Sequence, residues 1–109
     1  MRRLLACLAV AAVAASPAAA DDAVKIGFVG TFSGPAAAIG NDMRDGFKLG
    51  IEQLGRQMAG RPVEIIYEDD NQKPEVGKQK TDKLIESDHV NFLTGYGFSN
   101  VLLASLLPR

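Results

Sequence analysis

The sequence predicts an α/β fold: a parallel sheet with helices on both faces, its elements alternating β-α-β-α-β-α. Three observations predict it. Short β-branched, apolar runs recur at residues 24–29, 63–67 and 90–94. The segments between them carry apolar residues at helical spacing. Each run ends in a Gly-, Asp- or Ser-rich turn. Near-continuous apolar strands alternating with amphipathic helices indicate a sheet covered on both sides, with right-handed crossovers.

The chain opens on a different kind of segment. Arg2 and Arg3 precede an apolar run over residues 4–15, then Ser16, Pro17 and Ala18–Ala20, with Asp21 and Asp22 directly after. Charge, apolar core and a small-residue A-x-A site in that order read as a cleavable secretory signal over residues 1–20. The apolar run falls short of the ~20 residues that span a bilayer. Leu4-Leu5-Ala6-Cys7 is similar to a lipoprotein box, but most of the apolar run follows Cys7, which fits a small residue of the signal core better. The expectation is an exported chain, residues 21–109, with no stable membrane insertion after cleavage. It then holds no cysteine, so it is not a disulfide-stapled mini-domain. Losing Arg2 and Arg3 reduces the 12 basic residues to 10, against 13 acidic ones, a net charge of −3. Such a balance gives no reason to expect nucleic acid as a partner.

In the mature part, residues 24–29 read as a buried strand and residues 30–40 as a loop. Met43, Phe47, Ile51, Leu54 and Met58 place one apolar face on a helix over residues 41–58, capped by Asn41 or Asp42 and ended by Gly60 and Pro62. Gly46 and Gly50 weaken that helix by about 1 kcal/mol each relative to alanine, and close approach of the helix to the sheet is the expected compensation. Residues 63–67 form the second strand, which runs into the turn Glu68-Asp69-Asp70. Pro74 suits the first position of a helix over residues 74–87. Residues 90–94 form the third strand, residues 95–98 a tight aromatic turn, and Ser99 caps a last helix to Leu107.

In such sheets ligands bind at the carboxyl ends of the strands. The rule selects residues 30–40, 68–73 and 95–100. Gly27, Gly30 and Gly34 do not match the dinucleotide fingerprint, so a nucleotide cofactor is not expected. Three adjacent carboxylates without a nearby His or Cys make a poor metal site. No triad is visible: the one histidine, His89, precedes its strand, and no serine sits in a nucleophile elbow. The chemistry therefore excludes no binding role but supplies no enzyme. The third turn carries more. Ser99 and the free amides at a helix start after a sheet strand suit an anion such as a carboxylate.

Val24-Lys25-Ile26-Gly27-Phe28-Val29-Gly30-Thr31-Phe32-Ser33-Gly34-Pro35 resembles the opening strand and S-G-P loop of periplasmic leucine/isoleucine/valine-binding proteins. Residues 39–47, Tyr67-Glu68-Asp69-Asp70 with Pro74, and residues 95–100 are similar to their next segments, so the resemblance covers residues 23–105. It implies the type I periplasmic binding fold, two α/β lobes that close on a small ligand and dock on an ABC transporter permease. The chain would then be a truncated piece of the first lobe, located in the periplasm. The resemblance assigns ligand carboxylate binding to Ser99 and nearby backbone, and an apolar lining role to Ile39. Tyr96, Phe98 and Asn100 resemble the third turn of subfamilies proposed to carry aromatic or other organic acids. The implied ligand is a small carboxylate, either a branched-chain amino acid or an aromatic acid. The same fold also serves sensors and receptors without a transporter, and an exported enzyme would need catalytic residues beyond residue 109.

Overall fold

A computed structural model describes residues 22–108; the expected signal segment, residues 1–20 with Cys7, lies outside the described residues. Three parallel strands carry the fold: β1 (Val24–Gly30), β3 (Arg61–Asp69) and β4 (Phe92–Gly95). A two-residue strand, β2 (Gln57–Met58), pairs antiparallel with β3, so the sheet runs β2-β3-β1-β4. Three helices follow the parallel strands: α1 (Ala37–Gln53), α2 (Pro74–Glu86) and α3 (Ser99–Ser105).

The strand pleat distributes β1 between two layers. Phe28 faces α1, its ring 5.2 Å from that of Phe47. Gly27 points the other way, where a Cβ would lie 2.9 Å from a Leu84 methyl of α2. Helices thus cover both faces, α1 on one and α2 with α3 on the other, as expected. Val24, Ile26, Phe28 and Val29 of β1 are buried with Leu84 and Val101 of the second layer. The buried stripe of α2 is Gly77, Thr81 and Leu84, at the i, i+4, i+7 spacing of one helical face. Gly77 lets α2 and α3 touch, since a Cβ there would meet the Val101 side chain.

The first helix departs from expectation at both ends. It begins at Ala37 rather than at Asn41, and Ala36 precedes it without a side-chain cap. Alanine is the strongest helix former, so Ala37 and Ala38 join the helix once the Gly34 turn, with its φ of 78°, has set the direction. The helix stops at Gln53 instead of Met58. Gly55, at φ 71°, takes the left-handed position after the helix. The Gly55 and Arg56 amides donate to Glu52 and Ile51 at 2.9 and 3.0 Å, a Schellman closure. Residues 57–62 then make a hairpin through Ala59 and Gly60, both at positive φ as a two-residue turn of type I′ requires.

The expected compensation for Gly46 and Gly50 is overturned as well: a Cβ at either would meet nothing within 4 Å. The close approach belongs to Gly40, where a Cβ would run into the Thr31 carbonyl. The third strand is shifted, from residues 90–94 to Phe92–Gly95. Asn91 instead brackets Lys25: its amide donates to the Lys25 carbonyl at 2.8 Å, and its Oδ1 accepts from the Lys25 amide at 2.9 Å. Pro74 does open α2, and no described helix is long and apolar enough to cross a membrane.

Candidate functional site: the carboxyl edge of the sheet

Because β3, β1 and β4 run parallel, their turns emerge together. Gly30 lies opposite Asp69, and Val29 opposite Gly95. The ladder extends past the strand ends: the Asp70 amide donates to the Gly30 carbonyl at 2.9 Å, and the Tyr96 amide to the Val29 carbonyl at 2.6 Å. All three turns selected from the sequence therefore share one edge.

Side chains tie the first turn to the second. The Thr31 hydroxyl donates to Asp70 Oδ1 at 2.6 Å, and both residues are buried. The same oxygen accepts from the Gln72 amide at 2.8 Å. Asp69 Oδ1 accepts from the Phe32 and Asn71 amides at 3.0 and 2.9 Å. Glu68 turns away to Lys83 and Lys80 of α2, at 2.6 and 3.2 Å. The acidic triplet thus spends its carboxylates in three directions: Glu68 on the helix, Asp69 on backbone amides of the first two turns, and Asp70 on the Thr31 hydroxyl and the Gln72 amide.

Burial opposes ionisation of Glu68, but the hydrogen bonds from Lys83 and Lys80 outweigh it and hold its carboxyl below its ordinary value of 4.5. Burial opposes ionisation of Asp69 too, and there the nearby Ser33 hydroxyl and the Phe32 and Asn71 amides hold the carboxyl below 3.8. A carboxyl depressed in the folded state contributes stability that is full above its unfolded value and lost as the pH falls through the folded one. The expected result is a urea midpoint that holds steady from neutrality to about pH 5 and declines below about 4.5. Asp69→Asn should make that decline shallower; denaturation curves across the pH range check it.

The sequence-predicted ligand residues fall into two sets. Ser99 and Asn100 are exposed at the start of α3. Ser99 is the first helical residue rather than the cap; that place is taken by Phe98, whose extended backbone enters the helix without a side-chain bond. The Leu102 amide makes the first helical bond, to the Phe98 carbonyl at 3.1 Å. The amides before it lack a helical acceptor, as at any helix start. Ile39 sits in the first turn of α1, half-exposed, beside the third turn: a Cβ on Gly97 would lie 3.3 Å from Met43 Sδ and 4.0 Å from Ile39 Cγ2. The sequence places Met43 only on the apolar face of the helix and not in the site; its spacing of four from Ile39 was the available signal. A shallow crevice of about 360 Å³ opens next to it, walled by Phe28, Met43, Phe47, Thr94 and Gly95. Phe98 is half-buried. Tyr96 is turned to the other layer, where its hydroxyl lies 2.7 Å from Thr81 Oγ1 and burial pushes its pKa above the ordinary value.

Comparison with known proteins places this geometry. The periplasmic binding protein family model matches residues 23–107. A Leu/Ile/Val-binding protein homolog from Brucella abortus is 35% identical over 96 residues, which are 87% of this chain and 24% of that protein. Among solved structures, an ABC transporter substrate-binding protein from Sphaerobacter thermophilus superposes with a TM-score of 0.73 at 40% identity, over 75% of this chain and 22% of its own. A solute-binding protein of an ABC transporter from Rhodopseudomonas palustris, solved with 3,4-dihydroxybenzoic acid, gives 0.74 at 32% identity, over 77% and 23%. The chain spans about a quarter of the length of the relatives it matches. The chain belongs to the periplasmic binding protein family, in the type I group of the Leu/Ile/Val-binding proteins.

Proposed function

We propose that this chain supplies the first-lobe half of a solute site in the periplasm, where the substrate-binding component of an ABC importer captures a small carboxylate for delivery to its permease. One observation carries the reading: three turns meet at a single sheet edge, with Ser99 exposed at a helix start there and Ile39 and Met43 forming an apolar wall alongside. A carboxylate set against Ser99 and the amides of the first helical turn would gain charge-assisted hydrogen bonds, about 1.5–3 kcal/mol each. Its hydrocarbon or ring would lie on the apolar wall, with Phe98 and Asn100 at the rim. Relatives named for leucine, isoleucine and valine, and one solved with a dihydroxybenzoic acid, support a branched-chain amino acid or an aromatic acid as the ligand. Residues 1–20 would serve as the export signal and residues 21–109 as the lobe portion.

One lobe offers half of a closed site, and micromolar affinity needs about 8 kcal/mol. Titration calorimetry with leucine and with 3,4-dihydroxybenzoate should therefore give binding to one of them that is weaker than micromolar, lowered roughly tenfold by Ser99→Ala. Binding that Ser99→Ala leaves unchanged would remove Ser99 from the site.

A further inference from the structure

The third turn sends Tyr96 away from the side that strand alternation assigns it. Thr94 of β4 lies opposite Phe28, whose ring faces α1. Side chains two apart share a face of a strand, so continued extension would set Tyr96 beside Thr94, on the α1 side with the solute crevice. The backbone does not continue. Gly95 and Tyr96 both take the left-handed region, at φ 99° and 57°. Tyr96 thereby turns to the α2 side, where its hydroxyl shares a 2.7 Å hydrogen bond with that of buried Thr81. There it lines a groove of about 320 Å³ with Ile85, Leu93 and Leu106. Glycine suits the first of the two positions, since a Cβ on residue 95 would run into the Val29 carbonyl. Tyrosine suits the second poorly, because a bulky side chain in the left-handed region crowds its own backbone. Such a residue persists only where its surroundings over-determine it, and outliers of this kind gather at binding sites.

Two bonds hold Tyr96 in place. Its amide donates to the Val29 carbonyl at 2.6 Å, and its hydroxyl meets Thr81. Thr81 sits in the buried stripe of α2, between Gly77, which α3 packs against, and Leu84, which packs on Gly27. The next residue lies against the opposite layer, Gly97 beside Met43 and Ile39 of α1. Ser99 starts α3 two residues later. We infer that Tyr96 is a positioning residue for the solute site, a role that rests on the reading of this edge as a solute half-site. Bonded to Thr81, it fixes the left-handed turn that carries Gly97 to the α1 wall and Ser99 to the sheet edge, without touching the solute. The direction of the chain after residue 96 follows from its φ, so releasing the tyrosine frees residues 97–100 together. A solute must then order them as it binds, and its affinity falls by that cost.

Tyr96→Phe and Thr81→Val each delete the bond between the hydroxyls, and Thr81→Ser keeps it. Tyr96→Phe removes one oxygen atom and leaves the ring packed, so the chain stays folded at room temperature. NMR titration of the full chain with leucine and with 3,4-dihydroxybenzoate tests the role. Affinity for the compound that binds should fall about fivefold in either deletion variant, the worth of one neutral hydrogen bond. The two deletions combined should cost no more than one, since they remove the same bond, and Thr81→Ser should bind as the natural chain does. Without solute, amide order parameters of residues 97–100 should drop in the deletion variants while those of β1 hold. A loss with Tyr96→Phe but not with Thr81→Val would mean that the tyrosine meets the solute itself, and overturns the inference. Unchanged affinity in both variants overturns it as well, and leaves the solute site standing. A natural chain that binds neither compound removes the site, and the role of Tyr96 with it.

Discussion

Gly40→Ala is expected to destabilise the fold by about 3 kcal/mol or more, although alanine is the better helix former by about 1 kcal/mol. The reversal follows from what a Cβ would meet. At Gly40 it runs into the Thr31 carbonyl, a backbone group that cannot rotate away. Either α1 lifts from the first turn or Thr31 moves, and Thr31 is buried and bonded to Asp70. Gly50→Ala is the matched control in the same helix, where a Cβ meets nothing within 4 Å. It should stabilise by about 0.5–1 kcal/mol. Urea unfolding of the two variants should therefore move in opposite directions. Equal and small effects would mean that α1 does not lie against the first turn.

The second large effect belongs to Asp70→Ala, expected to cost about 3 kcal/mol. Asp70 is fully buried and accepts from the Thr31 hydroxyl and the Gln72 amide through one oxygen. Truncation leaves both donors without that acceptor, and an unmatched buried group costs about 1–3 kcal/mol. Asp70→Asn keeps a carbonyl oxygen for the same two donors. It also removes a charge whose other oxygen, Oδ2, is buried without a partner. Its cost should stay within about 1 kcal/mol, because the two bonds to Oδ1 are kept while a neutral amide replaces a carboxyl whose second oxygen is buried without a partner. Thermal melts that rank Ala far below Asn and Asn near Asp would match this arrangement. An Asn variant as damaged as the Ala variant would show that the charge itself holds the turns.

The parts of this fold that were legible in the sequence are those with local causes. Three apolar runs marked three parallel strands, Pro74 marked the start of α2, and the alternation of strand and helix placed the candidate site at the carboxyl edge. The helix start after the third strand singled out Ser99, and family resemblance added Ile39. Other features depend on contacts between distant residues or on competing local signals. The Gly- and Pro-containing stretch before Asn41 reads as a loop, yet Ala37 and Ala38 belong to α1. Apolar spacing continues through Leu54 to Met58, which hides the Leu54-Gly55 stop and the two-residue strand after it. The bond from Thr31 to Asp70 joins residues 39 apart. The exposed Gly46 and Gly50 and the tightly packed Gly40 look alike as letters. Only the placement of Thr31 separates them.

The most direct measurement of the central claim is an amide NMR map of the chain during titration with 3,4-dihydroxybenzoate and with leucine. Convergence of the three turns into one solute half-site predicts shifts clustered at Ile39, Met43 and residues 97–100, with smaller ones in the Thr31 and Asp70 turns. Shifts confined to the groove at Ile85 and Leu106, or none with either compound at about 20 mM, where even millimolar binding would be nearly saturated, would contradict it.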